Sequence, residues 1–174
     1  LAVPLAKTPV EVAVGGRLES KSYVEMTLDM QRNFQVHIDA ADDLTRFYCE
    51  TQAYRASDVE IEGDWSLAAF VMIAATIAGE RVTVEGLPQE TLQADRHLLR
   101  ILETMNGRVN MDSSSVVIER SQLKPVEVDV SDCPDLFPAV CALCALTEGV
   151  SSIRGIRRLR IKESDRVLAM SNGL

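Results

Sequence analysis

Hydrophobic residues recur along this chain with two different periods, one typical of helices and one typical of short strands. The helical period predicts helices over 20–34, 64–78 and 91–105, from 134 or 135 to 146, and from 163 or 164 onward. Alternating apolar and polar residues predict short strands near 10–14, 35–38, 46–50, 58–61, 81–84, 109, 116–119, 126–130 and 151–154. Helices that alternate with short strands imply sheets covered by helices, an α/β or α+β fold class.

Part of this pattern occurs twice. An aspartate, an alanine-rich helix, a glycine, a strand and a second glycine follow one another in both copies, at Asp64, Gly79 and Gly86 and again at Asp135, Gly149 and Gly155. The order of elements begins inside one repeat and stops inside another, so we expect the chain to be an excerpt of a longer protein. Residues 58–64 are the expected boundary between two domains, which gives portions at 1–61 and 62–174.

Composition and charge narrow the possible classes. The chain has 47% hydrophobic and 25% charged residues, which is typical of a globular protein. No apolar run reaches the roughly 18 residues of a membrane helix and no signal-like N-terminus is present, so we expect a cytoplasmic protein without a membrane partner. A net charge of −8 argues against nucleic acid as a partner. Residues 154–166 nevertheless hold six bases and two acids. This basic segment indicates either a site for a small anion or a solvated loop.

The cysteines do not predict a metal site. Cys141 and Cys144 form a CxxC pair inside an apolar run at helical spacing. A zinc site would need further ligands, but no second pair lies nearby and His37 and His97 are the only histidines. We therefore interpret these cysteines as core residues and expect no metal.

The strongest candidate for chemistry is the segment that contains Lys162, Glu163 and Arg166. Lys162 and Arg166 are four residues apart, so on a helix they would share one face. Arginine offers a bidentate fork to a carboxylate or phosphate, and lysine offers a point charge. Glu163 could transfer protons if burial raised its pKa. A helix start with acids in its first turn is the alternative interpretation.

Two further segments combine polar residues with a predicted helix start. Asp132 could cap the helix that follows it, which would leave Asp135 to face a pocket. Ser20 could cap the first helix, although helix N-termini also bind phosphates through free backbone N–H groups. Capping alone would explain either segment.

Together these segments resemble one family, the 5-enolpyruvylshikimate-3-phosphate synthases. The resemblance is carried by GRLESKSYVEMTL at 16–28, GDWSLAAF at 63–70, DCPDLFP at 132–138 and LRIKESDR at 159–166. It extends over almost the whole chain in the family's order. Arg158 and Leu159 stand where some members have Asn and Trp, so Arg158 receives no role.

The resemblance implies a fold of repeated βαβαββ units in two domains, with portions of both in this chain. It implies transfer of the enolpyruvyl group of phosphoenolpyruvate to the 5-hydroxyl of shikimate 3-phosphate with release of phosphate, a step of the shikimate pathway. No metal or organic cofactor is implied, and we expect the complete enzyme to be a monomer. By position, Ser20 and Tyr23 would hold shikimate 3-phosphate, Asp135 would face the reacting hydroxyl, Lys162 and Glu163 would be the base and acid, and Arg166 would clamp phosphoenolpyruvate.

Three alternatives stay open. A UDP-N-acetylglucosamine enolpyruvyl transferase would share the fold, and substrate binding would separate the two enzymes. An RNA 3′-phosphate cyclase-like enzyme is disfavoured by the acidic composition and by the scarcity of aromatic residues for base stacking. The chain could also be a folded scaffold without activity, and we expect these 174 residues to be inactive by themselves because the family's cleft closes between two domains.

Overall fold

The strands of this computed structural model, which describes residues 1–174, lie in separate sheets on the two sides of residue 61. The chain divides there into two units, unit 1 (Leu1–Ile61) and unit 2 (Glu62–Leu174). The division falls inside the segment 58–64 that the sequence indicates as a boundary. That the units are portions of two βαβαββ domains stays a prediction. None of the helices combines the length and the apolar character that spanning a membrane requires.

Unit 1 is a small antiparallel sheet with one helix. It contains a 3₁₀ turn at Val3–Leu5, strand β1 (Val10–Ala13), helix α1 (Lys21–Asn33), and strands β2 (Asp39–Ala40) and β3 (Arg46–Cys49). The strand order is β1-β3-β2, and β3 pairs antiparallel with both neighbours. Leu28 of α1 is buried with Val36, Leu44 and Cys49, which form the core of this unit.

Two strands predicted for unit 1 are wrong. Residues 35–38 turn back on α1: Gln35 has a φ of 60°, and the Val36 N–H donates to the Gln31 carbonyl at 2.9 Å. The strand therefore starts later, at Asp39. Residues 58–61 pair with no strand and are irregular. Alternation of apolar side chains predicted a strand at both places, but a strand also needs a partner for its backbone.

Unit 2 contains most of the buried apolar residues. Its regular elements are α2 (Trp65–Ala78), β4 (Arg81–Glu85), α3 (Leu98–Thr104), β5 (Arg108–Met111), β6 (Ser115–Glu119), β7 (Glu127–Asp129), α4 (Phe137–Ala145), β8 (Ser152–Arg154) and α5 (Arg166–Gly173). Three 3₁₀ turns, at Ala94–His97, Pro134–Leu136 and Arg157–Ile161, precede α3, α4 and α5. The antiparallel sheet has the order β4-β6-β5, and β7 and β8 form a separate parallel pair.

Helix α2 is the centre of the unit 2 core. It is apolar on nearly all sides, which is typical of a buried helix, and it packs against α4, the sheet strands β4 and β6, and the turns at 94–97 and 134–136. The fully buried side chains of α2 include Trp65 and Met72. The same cluster contains the fully buried Leu98, Leu102 and Leu143 from other elements. The segments that carry the candidate site are thus attached to a rigid core.

Helix α3 is shorter than the helix predicted over 91–105. The residues before 94 are not helical, and the Gln93 side chain bonds to the segment where α2 begins. The Gln93 side chain donates to Glu62 Oε1 and to the Gly63 carbonyl, and its Oε1 accepts from the Trp65 N–H, each at 2.9 Å. The chain then makes the 3₁₀ turn 94–97 before α3 begins at Leu98. The helix predicted from 134 or 135 is divided in the same way, into a 3₁₀ turn and α4.

The repeat seen in the sequence has a structural counterpart. Helix α2 leads to β4 and helix α4 leads to β8, and the glycine after each strand has a left-handed φ, +80° at Gly86 and +79° at Gly155. That conformation favours glycine because glycine has no Cβ. The two copies differ at their aspartates. Asp64 caps α2 by accepting the Ser66 and Leu67 N–H groups at 2.8 and 3.0 Å, whereas α4 has no side-chain cap.

We expect Gly63→Ala to destabilise unit 2 by about 1–3 kcal/mol, the usual cost of overpacking. An added Cβ would lie 2.5 Å from the Gly86 carbonyl oxygen, which also accepts the Gly63 N–H at 2.7 Å. Trp65 is the single tryptophan and is fully buried, so its fluorescence during denaturant unfolding reports on unit 2. Gly173→Ala, in the same unit and with no atom within 4 Å of an added Cβ, is the control and should change that transition by less than about 0.5 kcal/mol. Equal free energies of unfolding for the two variants would contradict the close approach of Gly63 to the Gly86 carbonyl.

Candidate active site

The carboxylate of Asp135 is the centre of the candidate site in unit 2. It lies in the 3₁₀ turn Pro134–Leu136, ahead of α4. Its Oδ1 accepts from Arg166 Nη1 at 2.5 Å and lies 3.6 Å from Lys162 Nζ. The three side chains are only about a quarter exposed, at 25%, 26% and 25% for Asp135, Arg166 and Lys162. Partial burial strengthens these ion pairs relative to surface pairs.

The convergence of Lys162 and Arg166 does not come from a shared helix face, and the helix predicted from 163 or 164 begins later than expected. Lys162 follows the 3₁₀ turn Arg157–Ile161 and has an extended backbone. Helix α5 begins only at Arg166, because Asp165 caps it by accepting the Leu168 N–H at 2.9 Å. A bend between the two residues brings both side chains to Asp135.

Glu163 lies at the edge of this group. Its side chain is 82% exposed, and its Oε2 is 3.4 Å from Arg166 Nη2. The pKa of Glu163 is lowered, first by a hydrogen bond from its own backbone N–H and further by Arg166 and Lys162. The condition that burial raises this pKa is therefore not met in this arrangement. Glu163 is an ionised carboxylate at neutral pH.

Arg166 is held between two acids. Its fork contacts Asp135 through one nitrogen and Glu163 through the other. The hydrogen bond to Asp135 is the main cause that raises the pKa of Arg166, so its positive charge is secure. A guanidinium fixed in this way presents a preorganised cation to an anionic ligand.

Asp132 does not cap the helix that follows it, contrary to our expectation. Neither the 3₁₀ turn at 134–136 nor α4 has a side-chain cap, and Asp132 is exposed. Pro134 in the turn and Pro138 in the first turn of α4 lack N–H groups, which reduces the need for a cap. Asp135 contacts Lys162 and Arg166 although Asp132 does not cap the helix.

In unit 1, Ser20 occupies the N-cap position of α1 without a side-chain cap bond. Its φ of 54° is left-handed, and its carbonyl accepts the Tyr23 N–H at 3.1 Å. Tyr23 is 45% exposed on the first turn of the helix. The side chain of Ser20 therefore does not cap α1, and the N-terminus of α1 carries both residues that the resemblance assigns to shikimate 3-phosphate.

The structure adds a residue pair that our sequence interpretation did not include. Asp95 is buried, and its Oδ2 accepts a short hydrogen bond from Ser66 Oγ. A sequence signal existed: Asp95 stands three, four and seven residues before Leu98, Leu99 and Leu102, on the apolar face of a predicted helix. An acid at such a position is rarely buried without a partner.

Three of the four cysteines, Cys133, Cys141 and Cys144, lie in or beside α4 and the site turn, and Cys49 is buried in unit 1. Burial raises the pKa of Cys141 to about 11 and that of Cys133 to about 12. Thiols with such pKa values are weak nucleophiles and weak metal ligands at neutral pH. They act as small apolar residues in the core.

The chain has the fold of solved enolpyruvyl transferases. The EPSP synthase from Acinetobacter baumannii superposes with a TM-score of 0.76 at 23% identity, over 99% of this chain and 40% of that one. The enolpyruvyl transferase NikO from Streptomyces tendae superposes with a TM-score of 0.66 at 18% identity, over 87% of this chain and 36% of that one. These likenesses confirm the predicted fold class.

Sequence comparison then gives the family. The chain matches the EPSP synthase (3-phosphoshikimate 1-carboxyvinyltransferase) family over residues 1–174 and belongs to it. The 3-phosphoshikimate 1-carboxyvinyltransferases of Methanosphaera stadtmanae and Clostridium kluyveri are each 36% identical to it, over 96% and 99% of this chain. The chain spans about 40% of the length of these relatives. The resemblance found in the sequence motifs is thereby confirmed.

We expect a double-mutant cycle of Asp135→Asn and Arg166→Gln to give a coupling energy of about 1–2 kcal/mol, because the pair is short, charged and partly buried. Urea unfolding followed by Trp65 fluorescence measures it. The matched control is Arg81→Gln with Glu119→Gln in the same unit, at 3.5 Å but 68% and 39% exposed. Its coupling should not exceed about 0.5 kcal/mol. Similar couplings for both pairs would show that Asp135 and Arg166 form only a surface contact.

Proposed function

We propose that this chain supplies part of the active site of a 3-phosphoshikimate 1-carboxyvinyltransferase. The observation that carries the proposal is the group formed by Asp135, Lys162 and Arg166, a carboxylate held by two cations on a rigid core. Family membership supports the choice of shikimate 3-phosphate and phosphoenolpyruvate as substrates. Both are small molecules with phosphate and carboxylate groups, which a cationic site recognises.

The proposed chemistry needs a base and an acid for an addition, and then a base at the new methyl group for the elimination. The 5-hydroxyl oxygen of shikimate 3-phosphate bonds to C2 of phosphoenolpyruvate and loses its proton to Asp135, while the methylene carbon gains a proton. Phosphate then leaves C2 as a proton leaves the new methyl group, which restores the double bond. Asp135 is the base at the hydroxyl, and Lys162 and Glu163 serve the carbon. Because Glu163 is exposed and ionised here, Lys162 is the better placed of the two acids.

Arg166 has the role of an anion clamp. Its secure charge and its fork suit the carboxylate or phosphate of phosphoenolpyruvate. Ser20 and Tyr23 have the role of shikimate 3-phosphate ligands in unit 1, supported by the uncapped N-terminus of α1. The proposal needs neither a metal ion nor an organic cofactor, since proton transfer and charge stabilisation come from side chains.

The reducing cytoplasm is the proposed location. The four cysteines are all unpaired in the structure, and free thiols are usual for proteins of that compartment. A monomeric complete enzyme without a nucleic-acid partner is part of the same proposal. The acidic net charge of −8 supports the absence of nucleic-acid binding.

We expect shikimate 3-phosphate to bind this chain with a Kd near millimolar or weaker and to shift the NMR amide signals of Asp135, Lys162 and Arg166. The two cations beside Asp135 are fewer than the phosphate and carboxylate groups of the two substrates require, and each absent charge-assisted contact costs roughly 1.5–3 kcal/mol. Lys162→Met should abolish the shifts. Lys124→Met, the same change at an exposed lysine of unit 2, should preserve them. Shifts caused by UDP-N-acetylglucosamine but not by shikimate 3-phosphate would favour the other transferase.

We expect the 174-residue chain alone to release no measurable phosphate from shikimate 3-phosphate and phosphoenolpyruvate. Water exclusion and a full set of cationic ligands are both required for turnover. A coupled phosphate-release assay with a complete synthase as the positive control measures it. Turnover within tenfold of the complete synthase would contradict this expectation and would show that the chain is sufficient.

A further inference from the structure

A second acid lies behind the Asp135 group in unit 2. Asp95, in the 3₁₀ turn Ala94–His97, is only 5% exposed, and Ser66 in the first turn of α2 donates a hydrogen bond to it. Helix α2 packs against this turn and also against the 3₁₀ turn that carries Asp135. The bond from Ser66 therefore fixes Asp95 to the same element that supports the candidate base.

Asp95 interacts electrostatically with the site. Burial is the main cause that raises the pKa of Asp95, and the Ser66 hydrogen bond opposes it. The charges of Asp135 and Asp64 raise this pKa further, while the charge of Lys162 lowers it. The ionisable groups that act on Asp95, or that it acts on, come from three neighbouring segments: Asp64 before α2, Cys133 and Asp135 around the second 3₁₀ turn, and Lys162 before α5.

A purely structural role does not explain a carboxyl group at this position. The pKa of Asp95 is raised in the folded state, so the folded state binds its proton more tightly than the unfolded state does. Ionisation of Asp95 therefore lowers stability as pH rises from the ordinary value of 3.8 through the raised one. Asparagine would accept the same hydrogen bond from Ser66 without this cost. The negative charge of Asp95 therefore needs an explanation other than the stability of the fold.

Asp135 supplies that reason. Its Oδ1 lies against both Lys162 and Arg166, and positive charges beside a carboxylate oppose the uptake of a proton. A nearby negative charge has the opposite effect, because it favours the protonated form. An ionised Asp95 would thus restore part of the proton affinity that the two cations remove.

We propose that Asp95 is a positioning residue that acts through Asp135: its buried charge keeps Asp135 basic enough to accept the proton of the substrate hydroxyl. Asp95 touches neither substrate, and Ser66 holds it in place. The inference rests on the proposed function for the role of Asp135 as a base. The coupling between the two carboxyl groups does not depend on that function and can be measured without any substrate.

The test is a carboxyl-carbon NMR titration of Asp95 in the 174-residue chain. Coupling between two proton-binding sites is reciprocal, so the effect of Asp135 on Asp95 equals the effect of Asp95 on Asp135. We expect Asp135→Asn to move the Asp95 midpoint to lower pH and Lys162→Met to move it to higher pH. Asp132→Asn, which removes an exposed acid three residues before Asp135, is the matched control and should leave the midpoint unchanged.

Opposite shifts in the two variants support the proposal, since a general loosening of the fold would move both midpoints toward the ordinary value. An Asp95 midpoint that does not respond to either variant overturns it, as do shifts in the same direction. Trp65 fluorescence and amide dispersion show whether each variant is folded. If Asp135→Asn does not fold, Lys162→Met decides alone. Opposite shifts without shikimate 3-phosphate binding would reject the proposed function and retain the coupling.

Discussion

The ion pairs of Asp135 with Lys162 and Arg166 are the interaction on which the candidate site depends. They join three segments that the backbone leaves separate: the turn before α4, the end of the 3₁₀ turn Arg157–Ile161, and the start of α5. Asp135 contacts both Lys162 and Arg166, and its negative charge offsets the repulsion between them. The site therefore depends on the attraction between one carboxylate and two cations. Partial burial strengthens that attraction relative to the same ion pairs at the surface.

The repeat in the chain shows how such a site can arise from a structural residue. In the first copy, Asp64 caps α2 and its oxygen is used by the backbone. In the second copy, two prolines and a 3₁₀ turn replace the cap, and Asp135 contacts side-chain cations instead. The same residue type at the same point of the repeat thus stabilises a helix once and assembles a charged site once. Asp95 adds a second acid beneath that site.

The motifs predicted the members of the Asp135 group but not the way in which they meet. Helical spacing suggested that Lys162 and Arg166 share a face, whereas a cap by Asp165 delays α5 and a bend brings them together. Burial was expected to raise the pKa of Glu163, but its side chain is exposed. Asp95 lay within an apolar pattern where its carboxyl group had no visible partner in the sequence. The contacts of Asp135 and Asp95 join residues far apart in the chain, whereas the cap by Asp165 is local.

By itself, the sequence determined the fold class, most helices and strands, and the family. These features depend on local periodicity, on glycine and aspartate at helix ends, and on contiguous motifs. Only the tertiary structure decided which acid caps a helix, which acid meets the bases, and which acid is buried. Those outcomes depend on solvent exclusion and on charges brought within a few ångströms by packing, and neither quantity is encoded in the spacing of residues along the chain.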